Sequence, residues 1–308
     1  MTIGIAIRGP RAARAAHRAL WAAELLGWGA IGGFCVFAIL TDSGELRYAT
    51  TQDGGIGALS LPDGWGEARM AALISSGPNR PEPLIQFLPA QEGVGLVTGH
   101  RLPNSKMADG TPLNQQALHA MAAGVFTQAQ LEAMLAAAPA LDAGLICLPA
   151  SGDCLLANAP RVAGRDDLGA YLRQCEAGVT AVLHNSIFTA QFHGNALAAV
   201  VGAIAEEEAG FGPAPLAFAE LGHSVPVHAA DFEAVELDKH DRVAAIHSAD
   251  PAYGDSRARI TAVYSQMPVI REGHRIGHAA TEVFATLTPR QLHPGARLSE
   301  RSFLYRRG

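Results

Sequence analysis

The amino-acid sequence predicts an α+β fold, in which layered antiparallel sheets are covered by helices. Residues 32–51 and 143–160 share one pattern: a short apolar run, a Ser-Gly turn, and a second run that ends in small polar residues. This pattern is typical of a β-hairpin, and an Ala-rich segment with helical periodicity precedes each one. Glycine and proline supply 33 and 18 of the 308 residues, which favours many turns and short strands. Because few βαβ units are present, we expect antiparallel sheets.

The first elements of the chain are a strand and an amphipathic helix. Residues 2–9 (TIGIAIRG) predict a strand that Pro10 ends, and small apolar residues recur on one helical face over residues 11–26. Residues 25–41 carry no charge and follow several arginines, as in a signal anchor. A membrane helix of ~20 residues would have to include Glu24, however, and glycines interrupt the stretch. We therefore predict no membrane association.

The remaining elements follow in order along the chain. The two hairpins turn at Ser43-Gly44 and Ser151-Gly152, residue types that tight turns favour. Apolar runs predict three further strands, at residues 83–89, 93–99 and 179–183. Helical patterns predict five further helices, at residues 66–75, 113–123, 127–138, 166–175 and 195–208. Beyond Gly212 the pattern changes to several short antiparallel strands. We predict a single domain over residues 1–308, with a structural sub-region over about 212–308.

Composition excludes several classes of protein. Hydrophobic residues make up 49% and charged residues 17% of the chain, which is typical of a globular protein. The net charge is −6 and the basic residues form no stripe, which argues against nucleic acid as a partner. The four cysteines include no CxxC pair, and Cys35 and Cys147 lie within apolar runs. Buried thiols are typical of a reducing compartment, so we predict a cytoplasmic protein.

The first hairpin and its continuation, IGGFCVFAILTDSGELRYATTQDGG, resemble the segment around the nucleophile of the asparaginase-type Ntn (N-terminal nucleophile) hydrolases. In that family an apolar run leads into an Asp-x-Gly turn, and the second strand ends in a loop rich in Thr and Gly. The helix and hairpin GVFTQAQLEAMLAAAPALDAGLICLPASGDCLLANAP are similar to another recurring Ntn stretch. The resemblance implies an αββα sandwich, amide hydrolysis, and substrate-binding roles for Thr51, Gln52 and Asp53.

The nucleophile position departs from that family. Counting back from the turn glycine of each hairpin places it at Phe34 and at Asp142, and neither side chain can replace a Thr, Ser or Cys nucleophile. Thr2 offers a second route, because removal of Met1 would expose a threonine at the start of a strand. Its α-amino group, with an unperturbed pKa of about 7.7 to 8.0, would then act as the base for its hydroxyl. The alternative is that residue 2 is simply a small residue.

A polar loop, HRLPNSKMADGT, is a further candidate region. It holds Lys106, one of only two lysines in the chain, beside Ser105. A desolvated lysine can act as a base toward a hydroxyl, and Arg101 with Lys106 would suit a carboxylate. We therefore predict a catalytic role for Lys106 and substrate-binding roles for His100, Arg101, Asn104 and Ser105. The alternative is a solvated loop.

The strand VTAVLHNSI ends in the last pair of catalytic candidates, His184 and Asn185. A histidine at the rim of a site can serve as a general base. The alternative is a strand-end turn in which Asn185 adopts a left-handed conformation. His274 and His278 have the spacing of one helix face, but no HExxH pattern is present, so we predict no metal and no cofactor.

Two functions follow from these observations. The first is a hydrolase that acts on a small amide or cyclic amide on an Ntn-like scaffold. The second is a non-catalytic small-molecule-binding or assembly protein on the same scaffold. Phe34 at the nucleophile position favours the second function, and the polar strand ends favour the first. The apolar composition with few charges also predicts a homo-oligomer.

Overall fold

The computed structural model describes residues 1–27, 31–124, 126–251, 253 and 257–307. The chain divides into two compact units, Met1–Pro213 and Ala214–Gly308, which we call the first and second unit. Both helices and antiparallel sheets are present, so the predicted α+β class is confirmed. The division falls beside the sub-region expected from about residue 212, and the prediction that the whole chain is one domain stays a prediction.

The first unit contains all five α-helices of the described residues and ten strands. In chain order these elements are β1 (Thr2–Arg8), α1 (Ala12–Leu26), β2 (Cys35–Leu40), β3 (Leu46–Thr51), β4 (Met70–Ser76), β5 (Ala90–Gln91), β6 (Gly95–Arg101), α2 (Leu113–Ala122), α3 (Gln128–Ala136), β7 (Ala143–Pro149), β8 (Leu155–Asn158), α4 (Pro160–Ala163), β9 (Leu168–Cys175), β10 (Gly178–Asn185) and α5 (Asn195–Ala209).

The strands of the first unit form two antiparallel sheets. The larger has six strands in the order β3-β2-β4-β1-β10-β9, and the smaller has four in the order β5-β6-β7-β8. In the larger sheet Thr2 pairs with Asn185 on one side and with Ser76 on the other. The start of β1 therefore lies beside the ends of both β4 and β10.

The two sheets face each other across an apolar core. Ala6, Ile74 and Leu183 of the larger sheet pack in one cluster with Leu96 and Ile146 of the smaller. Helices α1 and α5 contact strands β1, β4, β9 and β10, whereas α2 and α3 contact β6, β7 and β8. Since the apolar faces that meet are those of the sheets, the helices form the outer layers, in the order helices, sheet, sheet, helices.

The sheets approach each other closely at Gly4 and Gly99, where both lack side chains. A Cβ atom built on Gly4 of β1 would lie 2.4 Å from the carbonyl oxygen of Gly99 on β6. Beside this contact, the hydroxyl of Thr98 donates across the interface to the carbonyl oxygen of Leu73 at 2.8 Å. Thus the backbones of the two sheets are nearly in contact at this end of β1.

Three predicted elements of the first unit are wrong. The helices predicted at 66–75 and 166–175 are mostly strands, β4 and β9. The strand predicted at 83–89 is a 3-10 turn at Leu84–Phe87. Strand β4 is buried along its whole length, so its apolar residues show no alternation, and its alanines favour helix only in isolation.

The second unit is a ten-stranded sheet in which most pairs are antiparallel. Its strands are β11 (Leu216–Glu220), β12 (Val225–Ala229), β13 (Ala234–Leu237), β14 (Val243–Ser248), β15 (Ala258–Val263), β16 (Pro268–Arg271), β17 (His274–Ala279), β18 (Val283–Thr288), β19 (Gln291–His293) and β20 (Ser302–Arg307). The order is β11-β20-β17-β16-β13-β14-β12-β19-β18-β15, with parallel pairs at β12–β14 and β13–β16. His274 and His278 lie in strand β17 and so do not share a helix face. Within the described ranges no helix is both long and apolar enough to cross a membrane.

Candidate functional site

Polar side chains converge at one end of the first unit, where the two sheets meet. Thr2 begins β1, and Ser76 and Asn185 end its two neighbours. From the facing sheet come His100, near the end of β6, and Asn158, at the end of β8. Antiparallel strands bring starts and ends to the same edge, so residues distant in sequence meet here. We call this group the strand-end cluster, together with the side chains bonded to it and the ion pair beside it, namely Arg80, Ser186, Asp167, Arg165, Arg101 and Asp142.

Thr2 lies at the larger-sheet side of the cluster and is 5% exposed. Its Oγ1 donates to Ser76 Oγ at 3.3 Å, and Ser76 Oγ donates in turn to the Met1 carbonyl oxygen at 2.6 Å. A guanidinium nitrogen of Arg80 donates to the same Ser76 oxygen, also at 2.6 Å. Ser76 therefore links the Thr2 hydroxyl to a positive charge.

His100 connects the two sheets at the centre of the cluster and is fully buried. Its Nδ1 lies 3.3 Å from Asn185 Oδ1, and its Nε2 lies 2.7 Å from Asn158 Oδ1. Burial lowers the pKa of His100 to about 4, although both asparagines favour its charged form. The ring is therefore neutral at pH 7. Since a neutral imidazole has one N–H, one of the two amides must present its NH2 group to the ring.

The hydrogen-bonded chain continues from Asn185 to an ion pair. Asn185 Nδ2 donates to Ser186 Oγ at 2.9 Å, and Ser186 Oγ donates to Asp167 Oδ2 at 2.5 Å. Arg165 donates to both oxygens of Asp167. The hydrogen bonds from Arg165, and then from Ser186, hold the pKa of Asp167 well below its usual range. The Asp167 carboxylate is therefore ionised at neutral pH.

A second ion pair lies beside the N-terminal residue. Arg101 donates through two nitrogens to both oxygens of Asp142, and this contact lowers the pKa of the carboxyl group. The pKa of the Met1 α-amino group is also lowered, first by burial and then by the charges of Arg101 and Arg80. Burial and the arginine charges therefore both disfavour the charged form of an amine at the start of β1.

Two residues of the cluster have backbone conformations that favour glycine. Arg101 has φ 62° and Ser186 has φ 54°, and each directly follows or ends a strand that supplies the cluster. A non-glycine residue in the left-handed region costs of order 1 kcal/mol or more and persists where surrounding contacts hold it. The bonds of Arg101 to Asp142 and of Ser186 to Asp167 supply such contacts.

The structure brings together Thr2, His100, Arg101 and Asn185 of the predicted site residues. His184 lies on the opposite face of β10 from Asn185, because successive side chains of a strand alternate. Its Nε2 lies 3.1 Å from the carbonyl oxygen of Gly194, which precedes α5, and burial lowers its pKa. His184 therefore faces the helix layer rather than the cluster.

The polar loop after β6 lies outside the hydrogen-bonded network. Lys106 is exposed and pairs by its backbone with Pro112. The Asn104 amide donates to Gln86 Oε1 at 2.8 Å, and the Ser105 backbone closes turns with Leu102 and Leu113. These contacts shape the loop itself, and a role in binding for its residues stays a prediction.

The residues after β3 lie at the same edge of the larger sheet. The Thr51 hydroxyl donates to the carbonyl oxygen of Asp53 at 2.5 Å, which closes a local turn. Gln52 instead makes two hydrogen bonds to the Arg80 backbone: its Nε2 donates to the carbonyl oxygen at 2.7 Å, and its Oε1 accepts from the N–H at 2.9 Å. Gln52 therefore positions the segment that carries Arg80.

The two positions expected to hold the family nucleophile have other roles. Phe34 is 1% exposed in the core between the sheets, and its ring lies 5.1 Å from that of Phe87 in an edge-on arrangement. Asp142 is the partner of Arg101. Cys35 lies on the opposite face of β2 from Phe34, and burial raises its pKa, so it is a poor nucleophile there.

Sequence reasoning missed several members of the cluster, namely Ser76, Arg80, Asn158 and Asp167. Ser76 and Asp167 were hidden because their surroundings were predicted to be helices. A signal for Ser76 was present, since Ser75-Ser76 follows the apolar run MAALI and so ends a buried strand. No local pattern marks Arg80 or Asn158, which join the cluster through long-range strand pairing.

The arrangement can place a hydroxyl, neutral hydrogen-bonding groups and arginine charges around one small volume. Over the described ranges no group of three or more His, Cys, Asp or Glu side chains is placed to hold a metal ion. A hydroxyl can act as a nucleophile, and arginine side chains can bind a polar anionic molecule.

Fold and site together define a four-layer α+β unit with a polar cluster at one end of its paired sheets, joined in sequence to a ten-stranded β unit. Residues 2–215, more than half of the chain, match the model of a family described as a domain of unknown function (DUF6963), and the chain belongs to that family. Residues 224–295 match a second model, also described as a domain of unknown function (DUF7259). No curated protein matches the chain.

Proposed function

We propose that the first unit is an amide hydrolase of the Ntn type, with Thr2 as its nucleophile, that acts on a small amide or cyclic amide. The observation that carries this proposal is the position of Thr2: its hydroxyl stands at the start of a central strand, inside a polar cluster between two facing sheets. The order helices, sheet, sheet, helices supports it, because this is the architecture that the hairpin resemblance implies.

The reaction follows from the groups at hand. After the chain is cut before Thr2, the new α-amino group takes the proton of the Thr2 hydroxyl, and the oxygen attacks the carbonyl carbon of the amide. The C–N bond breaks, the amine leaves with the proton, and an ester on Thr2 remains. Water then hydrolyses the ester and restores the hydroxyl. Burial and the charges of Arg101 and Arg80 lower the pKa of the Met1 amine, one residue before, and the same surroundings would favour the uncharged form of an amine on Thr2.

Intact-mass measurement of the purified protein tests the first requirement of this proposal. A mass that lacks Met1 is expected, and a chain that retains it cannot use Thr2 in this way. A β-lactone probe should then acylate Thr2 and add its mass to the N-terminal peptide. Thr2→Ala should abolish labelling, Thr2→Ser should retain it, and Ser75→Ala, on the opposite face of β4, serves as the matched control. A wild type that retains no label would contradict the proposal.

Phe34 supports a second candidate function, a non-catalytic small-molecule-binding or assembly protein on the same scaffold. It fills with a buried aromatic ring the position where the hairpin resemblance expects a nucleophile. Ligand binding without acylation or turnover would favour this candidate over the first. We further propose that the protein is cytoplasmic and that it forms a homo-oligomer. Size-exclusion chromatography with light scattering tests the oligomeric state.

A further inference from the structure

A serine and a histidine of the second unit lie in hydrogen-bond contact on one face of its sheet. Ser224 Oγ lies 2.6 Å from Nδ1 of His293, and Nε2 of His293 lies 2.8 Å from the hydroxyl oxygen of Thr288. All three residues belong to the second unit, so this contact is separate from the strand-end cluster. A hydroxyl bonded to an imidazole is the usual pairing of a nucleophile with its base, and the contact is therefore a second candidate site.

The pairing of strands β12 and β19 brings the serine and the histidine together. Val225 of β12 is opposite Leu292 of β19, and the same antiparallel register places Ser224 opposite His293. Val225 and Leu292 both point into the core of the unit, and because side chains alternate along a strand, their neighbours point to the other face. Directly opposite residues have Cβ atoms about 4.5 to 5.5 Å apart, so the contact follows from the strand register.

The hydrogen bonds around the His293 ring assign its proton to one nitrogen. The Thr288 hydroxyl donates to the carbonyl oxygen of Gln291 at 3.4 Å, so its oxygen accepts from Nε2–H of His293. A neutral imidazole has only one N–H, and Nδ1 is then the acceptor for the hydroxyl hydrogen of Ser224. This is the tautomer in which a histidine can take the proton of a serine.

The loop that carries Ser224 leaves room for a substrate. Gly222, His223 and Ser224 are all exposed, and a Cβ atom built on Gly222 would meet nothing within 4 Å. The backbone N–H groups of these three residues have no hydrogen-bond partner in the part of the chain that the structure describes. Backbone N–H groups beside a nucleophile can stabilise the negative oxygen that develops when a carbonyl is attacked. An acyl group at Ser224 would thus have both space and nearby donors.

The third group of the site favours an ester over an amide as the substrate. In a Ser-His-Asp triad a carboxylate stabilises the imidazolium that forms during attack, whereas Nε2 of His293 meets the neutral hydroxyl of Thr288. Among the described residues no carboxylate pairs with His293. An amine must be protonated as it leaves, but an acidic alcohol such as a phenol leaves readily as its anion, so a serine and histidine without a carboxylate suit an activated ester.

We propose that Ser224 is the nucleophile of a second acyl-transfer site, with His293 as its general base, and that this site hydrolyses esters of acidic alcohols. Nδ1 of His293 takes the proton of the Ser224 hydroxyl, and the oxygen attacks the ester carbonyl. The C–O bond of the ester breaks, the alcohol leaves and takes up the proton from His293, and an acyl group remains on Ser224. Water, deprotonated by His293, then attacks this acyl group, and a carboxylic acid leaves while Ser224 regains its proton.

Labelling of the full chain with a fluorophosphonate probe, followed by peptide mapping, tests this site. The peptide that contains Ser224 should gain the mass of the probe. The label on that peptide should disappear in Ser224→Ala and should form at least about tenfold more slowly in His293→Gln. Ser265→Ala is the matched control, because Ser265 is also an exposed serine of the second unit, and this variant should be labelled like the wild type. Thermal unfolding checks that each variant is folded.

The role of Thr288 as a positioning residue has its own test. Thr288→Val should slow labelling of Ser224 several-fold, and Thr288→Ser, which keeps the hydroxyl, should restore the rate. Label on Ser224 that persists in Thr2→Ala supports this site whether or not Thr2 is ever acylated. A folded wild type without label on the Ser224 peptide overturns the inference, as does equal labelling of that peptide in His293→Gln and the wild type.

Discussion

Replacing Gly4 with alanine tests the close approach of the two sheets, on which the strand-end cluster depends. The new Cβ would lie 2.4 Å from the Gly99 carbonyl oxygen and 2.9 Å from its carbonyl carbon and nitrogen. These atoms belong to the backbone of β6 and cannot rotate away. The sheets would have to separate by roughly 0.6 to 1 Å to reach an ordinary contact, which a close-packed interior resists.

We expect Gly4→Ala to lower the free energy of unfolding by about 3 kcal/mol, at the upper end of the usual cost of overpacking. Urea denaturation followed by circular dichroism measures this change. Gly164→Ala is the control, because its Cβ would meet nothing within 4 Å and its φ of −80° suits alanine. That variant should be neutral or gain up to about 1 kcal/mol. If Gly4→Ala is no less stable than the control, the facing of β1 and β6 described above is refuted.

Two further predictions concern buried polar groups. Thr98→Val should lower the free energy of unfolding by about 1 kcal/mol, since it removes the hydrogen bond to Leu73. Thr180→Val should be neutral or stabilising, because the buried Thr180 hydroxyl has no hydrogen-bond partner in the described ranges. Chemical denaturation compares the two variants, and a larger loss of stability for Thr180→Val would contradict these hydrogen-bond assignments. The pKa of His100 is about 4 when folded and 6.5 when unfolded, so the unfolded state takes up the proton first and stability falls as pH drops from 6.5 to about 4. In His100→Gln the loss of stability between pH 6.5 and 4 should be smaller by up to about 3 kcal/mol. If the variant and the wild type lose the same stability over this range, the His100 ring is not held in its neutral form by burial.

Local patterns predicted much of the fold of the first unit. The strand at 2–9, the helix at 11–26 and both hairpins match β1, α1, β2–β3 and β7–β8 closely. These elements have either a clear hydrophobic periodicity or a Ser-Gly turn. Both signals determine local structure within a few residues of the chain. Strand β4 has neither, because it is buried on both faces between β1 and β2.

The candidate site was less predictable, for a physical reason. Strand ends can be recognised in the sequence, and for this reason Thr2, His100 and Asn185 were found. Their mutual contacts depend on which strands pair, and β1 pairs with β10 across about 180 residues. The side of a strand also matters: His184 and Asn185 are adjacent in sequence but face different layers, and only the position of the second sheet decides which of them joins the cluster.

The pairing of β1 affects when a cut before Thr2 is easiest. In the finished fold Thr2 is buried between Ser76 and Asn185, although Met1 is 51% exposed, so a peptidase reaches the bond between them more easily before β1 has paired. Strand β10, which closes one side of β1, is complete only when residue 185 has been synthesised, and at usual rates of translation this takes about 10 to 40 s. We therefore expect an enzyme that removes Met1 to act mainly on the nascent chain, and refolded protein that still carries Met1 to be processed more slowly.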